Sequence, residues 1–412
     1  MSKLVRPNYG HGCFADLPQL ITACFTGQPF PMEQAGLRSA FLRQYDAVIL
    51  VFADAFGWRF FERFAAHNPF LQRLQQEGVV ARWTSQFPST TAAHVTCINS
   101  GLACGQSGVF EWQYYEPAVD AVISPLLYSF AGGKARETLK ATGVQPQALY
   151  PATTFYQQLR QLGATSYIYQ HREYARSTYT DWLGRGAQTM PYMTLPEALV
   201  GIRQQLAKAK TPTYFYLYFD KIDALGHEYG PDSPEMDAEI ETFLFCMERA
   251  LMQPLLGKAK NVLLLLTADH GQIETNPRTA IYLNQEERFK DLLRYLRTNH
   301  NGDILVPGGS PRDVFLYIKD EFLDEAHRLL TTQLAGKASV YKTHDLIAQG
   351  YFGPQPVSPA LLGRIGELVI LPEAGETVWW YEKDKFEQRF YGHHGGLSAA
   401  EMEIPLCMYS FR

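Results

Sequence analysis

Residues 261–272 read NVLLLLTADHGQ. A short apolar run stops abruptly at Asp269 and His270, and Gly271 follows. Near-continuous apolar runs of this length suit strands of a mainly parallel sheet covered on both faces. A carboxylate beside an imidazole does not suit the middle of such a strand, so the pair belongs to its carboxyl end. Two more runs finish the same way: AVILVFAD (47–54) ends in Asp54, and TYFYLYFD (213–220) ends in Asp220, with Asp223 and His227 close behind. TSYIYQ (165–170) is a fourth strand candidate.

Helical patterns alternate with these runs. WRFFERFAAHNPFLQRLQQEG (58–78) reads as one or two helices, with Pro69 after Asn68 as the break. TTFYQQLRQLG (153–163) is amphipathic and stops at Gly163. LPEALVGIRQQLAKAK (195–210) has Pro196 in its first turn. SPEMDAEIETFLFCMERALMQPLLG (233–257) opens on Ser-Pro with acids in its first turn. Strands alternating with helices argue for a doubly wound α/β sheet. Beyond 275 the pattern changes: 313–343 reads strand, helix, strand, between Pro/Gly-rich stretches at 304–313 and 350–363. We expect one catalytic α/β domain over 1–412, with an inserted α+β subdomain at 277–385 as a candidate lid.

Composition narrows the function. Hydrophobic residues make up 46% and charged residues 19%, which is ordinary for a globular enzyme. The net charge of −5, with no block of Lys or Arg, argues against non-specific nucleic-acid or membrane partners. No apolar run approaches the ~20 residues that span a bilayer. The N-terminus lacks the apolar core of a secretory signal. The six cysteines are scattered without a C-x-x-C pair, so neither a zinc knuckle nor a disulfide framework is indicated. The expectation is a soluble, cytoplasmic protein with reduced thiols. Oligomeric state is not legible.

In open α/β sheets ligands bind outside the carboxyl ends of the strands. Three runs ending in acids would deliver several carboxylates and imidazoles to one edge, which suits a divalent cation. Each residue also has a plainer reading. Asp54 could be a turn residue or helix cap, and a lone histidine such as His227 is more often structural than a ligand. FPSTTAAHVTCINSG (87–101) places Ser89, Thr90 and Thr91 before a helix. They could cap it, or one could be a hydroxyl nucleophile at a helix N-terminus, where the backbone favours an anionic group. YGHHGGLSAAEMEIPL (391–406) sets a His pair between glycines.

Together these stretches resemble the alkaline phosphatase superfamily, and most closely its nucleotide pyrophosphatase/phosphodiesterase branch. The resemblance rests on Asp54, FPSTT (87–91), DALGHEYGP (223–231), ADHG (268–271) and GHHG (392–395), in that order. It implies a three-layer αβα sandwich around a mainly parallel sheet, and two divalent metal ions. Zinc is the usual metal, with manganese as the alternative. One site would be Asp54, Thr91, Asp269 and His270; the other would be Asp223, His227 and His394. Thr91 would be the nucleophile, with Thr90 as competitor, and a phospho-threonine intermediate would form and hydrolyse. His393 would be a neighbour, Asp220 structural, and His94 a packing group near the nucleophile. The substrate would be a small phosphate ester, with a nucleotide as one candidate.

One departure stands out. GVFEWQYYEP (108–117) puts Glu111 and Trp112 where family diesterases often carry an asparagine that contacts a phosphoryl oxygen. A carboxylate there is unfavourable unless turned away or neutralised. Trp112, Tyr114 and Tyr115 would form either an aromatic wall or core. A phosphomonoesterase or phosphonate hydrolase on the same site is the alternative function, with Lys221, Arg172 and Arg176 as candidate cationic donors. FPSTT lacks the context of a sulfatase, and a phosphosugar mutase typically uses serine. A non-catalytic metal-binding protein is the reading from another class.

Overall fold

The computed structural model describes residues 4–412. Its frame is a seven-stranded sheet made of β1 (Ala47–Ala53), β2 (Val79–Thr84), β3 (Thr165–His171), β4 (Ala187–Tyr192), β5 (Thr213–Phe219), β6 (Val262–Thr267) and β7 (Glu403–Phe411). The spatial order is β2-β7-β6-β1-β5-β3-β4. β1 pairs in parallel with β5 and β6, and β3 pairs in parallel with β4 and β5. β7 runs antiparallel to both of its neighbours. The apolar runs of β1 and β6 are buried at every position, as strands covered on both faces must be.

Two helical layers cover the sheet. The helices Trp58–Ala65, Pro69–Glu77, Leu195–Leu206 and Pro234–Cys246 pack among themselves. A second group comprises Leu17–Thr26, Thr91–Ser100, Phe155–Gln161 and Thr178–Leu183. The result is a three-layer α/β sandwich. The 58–78 stretch divides where Asn68 Oδ1 accepts the Phe70 and Leu71 N–H groups at 3.0 and 3.2 Å, with Pro69 opening the second helix. The long 233–257 pattern is interrupted by a π-helical segment over Met247–Met252. Pro254 explains it: proline offers no N–H and its ring collides with the carbonyl four residues earlier.

A second, four-stranded sheet lies between Gly308 and Pro372, with neighbouring strands antiparallel. Its two faces serve different cores. Val314, Leu316, Leu368 and Ile370 join a cluster with Phe289, Trp379 and Trp380. The alternate residues Phe315, Val369 and Leu371 join the main core. The period-two alternation of a strand makes this sheet a shared wall.

Register places the functional edge. Ala53 of β1 is level with Phe219 of β5, and Phe52 with Thr267 of β6. Asp54, Asp220 and Asp269 therefore emerge at the same end of three adjacent strands.

Candidate active site

Asp54 leaves β1 buried, and Ala55 turns the chain with a positive φ of 61°. Across the β1–β6 pair, Asp269 Oδ1 accepts the Ala55 N–H at 3.1 Å and the His270 N–H at 3.0 Å. These bonds hold the two strand ends together and turn His270 inward. Its Nε2 lies 3.2 Å from Asp269 Oδ2 and 3.5 Å from Asp54 Oδ1.

Asp223 and His227 are four residues apart on the helix Lys221–Tyr229, so they share a face. His227 Nε2 is 3.4 Å from Asp223 Oδ2, and His394 Nε2 is 3.7 Å from Asp223 Oδ1. The His270 and His394 rings stack with centroids 3.6 Å apart, which joins the two groups. Candidate ligand atoms gather in two overlapping clusters: Asp54, Asp269 and His270, and Asp223, His270 and His394. His227 extends the second cluster through Asp223.

The three inward-facing histidines are set alike. His227 Nδ1 donates to the Gly392 carbonyl at 2.8 Å, His394 Nδ1 to the Ser89 carbonyl at 2.8 Å, and His270 Nδ1 to the Gly271 carbonyl at 3.0 Å. A carbonyl only accepts, so Nδ1 carries the proton and Nε2 presents a lone pair to the cavity. Such outer bonds are how proteins orient imidazole ligands. Burial pushes His394 down to about 4 and His270 well below its ordinary value, so both stay neutral.

The hydroxyls of FPSTT separate by what they bond. Ser89 Oγ donates to the Gly396 carbonyl at 2.8 Å, and Thr90 Oγ1 to the Phe110 carbonyl at 3.2 Å. Thr90 is the N-cap residue of the Thr91–Ser100 helix, yet its side chain makes no capping bond. Thr91 Oγ1 faces the clusters, 3.4 Å from Asp54 Oδ2 and 3.4 Å from His270 Nε2. His94, one turn on, donates from Nδ1 to the Thr90 carbonyl at 2.6 Å and accepts the Gln86 N–H at Nε2. It braces the start of this helix from the buried side.

The donor set fits a divalent cation. Asp54 Oδ1 and Asp269 Oδ2 are buried without a hydrogen-bond donor among the described residues. Burial, reinforced by Asp269 and Asp223, holds the Asp54 carboxyl well above the usual range. Burial lifts Asp269 to about 7. Carboxylates short of donors beside neutral imidazoles lack a positive charge, which a divalent cation held by the same oxygen and nitrogen atoms would supply.

Some neighbours carry no motif of their own. Gln272 Nε2 donates to Asp223 Oδ1 at 2.7 Å and to the Asp223 carbonyl at 3.1 Å. A Cβ on Gly226 would stand 1.9 Å from Gln272 Oε1, so the glycine of DALGH makes room for this amide. The Tyr218 hydroxyl donates to Asp54 Oδ2. Gln272 closes the stretch NVLLLLTADHGQ and was open to notice there; Tyr218 looks like any strand aromatic until β5 and β1 are paired.

A cavity of about 490 Å³ opens beyond Thr91, Asp223, His227 and His394. Lys221, Arg172 and Arg176, expected as cationic donors, do not line it; Lys134, Lys385 and Arg389 do. The reason is topological, since the far wall comes from the 127–134 and 379–390 segments rather than from strand ends. Trp112 lines the cavity and is 44% exposed, whereas Tyr114 and Tyr115 are buried core. Asp220 starts the Lys221–Tyr229 helix and stays outside both clusters.

A family model described as Type I phosphodiesterase / nucleotide pyrophosphatase matches residues 48–397. Venom phosphodiesterase CdcPDE of Crotalus durissus collilineatus is 27% identical over 234 residues, which is 55% of this chain and 26% of that protein. The chain thus matches about a quarter of that relative's length. An inactive form of murine ectonucleotide pyrophosphatase / phosphodiesterase 5, solved in complex with AMP, aligns over 89% of this chain and 88% of its own. Its TM-score is 0.61 at 19% identity. Phosphonoacetate hydrolase from Sinorhizobium meliloti 1021, in complex with phosphonoacetate, covers 90% of this chain and 92% of its own, with TM-score 0.61 and 18% identity. At these identities the likeness to the solved structures carries the fold.

Proposed function

The chain belongs to the type I phosphodiesterase / nucleotide pyrophosphatase family, and from that premise we propose that it is a metal-dependent hydrolase of phosphodiester or pyrophosphate bonds. The observation that carries the reading is the placement of Thr91. Alone among the three FPSTT hydroxyls it turns from backbone acceptors toward the carboxylate–imidazole clusters.

Asp54, Thr91, Asp269 and His270 would hold one divalent ion, and Asp223, His227 and His394 the other, with zinc preferred and manganese as the alternative. When bound, such a pair lowers the pKa of a coordinated hydroxyl and offsets charge on the attacking and leaving oxygens. The chain's own residues do the rest. The Thr91 oxygen attacks phosphorus in line, its bond to phosphorus forms, and the bond to the leaving oxygen breaks. Water then displaces Thr91 from the phospho-threonine. Asp54 and His270, each 3.4 Å from the hydroxyl, set its direction. The N-terminus of the Thr91–Ser100 helix favours the anionic phosphoryl group.

The substrate in this reading is a small phosphate ester. A nucleotide is supported by the AMP complex of the murine neighbour. The cavity wall of Trp112, Trp379, Phe386 and Phe390 offers surfaces for a flat group. Segment 277–385 belongs to the proposal as a cover, a role supported by Gly309, Pro311 and Trp379, which line the cavity. A cytoplasmic setting is also proposed, supported by six free thiols, five of them buried. No helix among the described residues is long and apolar enough to cross a membrane.

The test compares bis(p-nitrophenyl) phosphate with p-nitrophenyl phosphate, with zinc or manganese supplied. Thr91→Ala should lower diester turnover by at least about a thousandfold while Thr90→Ala keeps measurable turnover. Equal activity in Thr91→Ala and wild type removes Thr91 as nucleophile. Faster monoester cleavage moves the enzyme to the phosphatase alternative.

A further inference from the structure

Two acids near the nucleophile belong to neither donor cluster. Glu111 lines the cavity with Thr90 and Thr91 and is fully buried. Asp313, where the strand Asp313–Leu316 begins, is buried against it. Glu111 Oε2 accepts the Trp112 N–H, and Asp313 Oδ1 accepts the Ser310 hydroxyl at 2.6 Å. The second oxygen of each, Glu111 Oε1 and Asp313 Oδ2, has no donor among the described residues, although the carboxyls lie within hydrogen-bonding reach of each other. Among the described residues no cation forms an ion pair with either acid, and Arg312 is committed to Glu401, with bonds of 3.0 and 2.9 Å.

Two buried carboxylates in contact cannot both ionise. One proton held between Asp313 and Glu111 satisfies both orphan oxygens and leaves a single negative charge on the cavity wall. The wall is tied to the clusters. Ser310 Oγ also lies 3.2 Å from the His394 carbonyl, and a Cβ on Gly395 would stand 2.4 Å from Asp313 Oδ1. A phosphoryl group within reach of Thr91 therefore shares a walled cavity with this charge.

We propose that the Glu111–Asp313 pair is a specificity determinant that favours phosphoryl groups with one negative charge, as in diesters, over those with two, as in monoesters. The proposal rests on the reading of Thr91 as nucleophile. A charge fixed in a low-dielectric wall discriminates by repulsion: the diester replaces one anionic oxygen with a neutral ester oxygen, and the monoester does not. Burial lifts both carboxyls above their ordinary range, so on the alkaline side one proton stays between them and the pair carries its single charge. Arg312 and Glu401 beside the pair are bonded to each other, and Arg312 holds Glu401 below its usual range; Lys134, Lys385 and Arg389 line the same cavity as Glu111 without forming an ion pair with it.

The experiment measures kcat/KM for p-nitrophenyl phosphate and bis(p-nitrophenyl) phosphate at pH 9 in metal-loaded wild type, Asp313→Asn and the double variant Glu111→Gln/Asp313→Asn. The double variant removes the charge and should raise the monoester-to-diester ratio about tenfold or more. Asp313→Asn puts an amide donor where the shared proton was, keeps Glu111 ionised, and should leave the ratio near that of wild type. A ratio in the double variant within about twofold of wild type, or an equal rise in Asp313→Asn, overturns the proposal. Should that double variant fail to fold, Glu111→Met/Asp313→Ser, which also leaves no carboxyl, takes its place under the same criterion. Diester cleavage surviving in Thr91→Ala would sink the nucleophile reading instead, so the two failures are distinguishable.

Discussion

At the scale of single residues, the site depends on side chains that touch no substrate. Gln272 is fully buried and its amide bonds Asp223 twice, fixing the carboxylate that links His227 and His394. Gln272→Leu keeps the volume and removes both bonds. It should lower affinity for the divalent ion about 10- to 100-fold, the usual effect of losing an outer partner. Chelator competition monitored by metal release checks this, and unchanged affinity would make Gln272 a packing residue only. Gln272 stands in the quoted opening stretch, but its partner Asp223 lies in another segment, and no local pattern joins them.

Among the elements, the hairpin between Gly308 and Leu316 ties the second sheet to the histidine loop. Arg312 and Glu401 form an ion pair with side chains 2% and 0% exposed. Arg312 Nη1 also donates to the Glu373 and Glu376 carbonyls at 2.7 Å, and Glu401 Oε1 accepts the Gly396 N–H at 3.0 Å. The pair clamps the loop that carries His394. Arg312→Met leaves a buried carboxylate uncompensated and should cost about 3–5 kcal/mol of stability. Adding Glu401→Leu should recover much of that loss, because the lone charge is then gone. Denaturant melts of both variants decide it; a double variant no more stable than the single one contradicts the charge explanation. The strand–helix–strand pattern of 313–343 is legible in the sequence. That its first strand serves two cores at once is not, because alternation gives two faces without saying what covers each.

Across the whole molecule, the acids gathered at one sheet edge make stability depend on pH and metal together. Burial raises Asp54 and lifts Asp269 to about 7. A carboxyl raised by folding stabilises below its unfolded value, and that contribution is lost as pH climbs through the folded one. Lowered histidines act on the acid side. Burial pushes His394 down to about 4, so its cost appears as pH falls below the ordinary histidine value of about 6.5. With a chelator present, Tm should therefore fall as pH rises from 7 to 9, and zinc should shrink that fall. Metal binding requires deprotonated carboxylates, so the rise in Tm on adding zinc should itself grow over the same range. Scanning calorimetry with and without zinc tests this; a chelated protein that gains stability toward pH 9 would contradict it.

Local chemistry in the sequence carried much of this protein. Apolar runs stopped by acids marked three parallel strands and their functional ends. The i, i+4 spacing put Asp223 and His227 on one helix face, and the ordered motifs placed the chain in its family. Pro69 and Asn68 marked a helix boundary because their preferences are set within a few residues. Tertiary structure decided what depends on facing. It turned Thr91, rather than Ser89 or Thr90, toward the clusters, and it separated Trp112 in the cavity from Tyr114 in the core. It also built the far wall from residues 127–134 and 379–390 and set Glu111 against Asp313. Segments distant in the chain meet only when the sheet and its layers pack, so a carboxyl's partner, and with it the charge it carries, is a property of the fold.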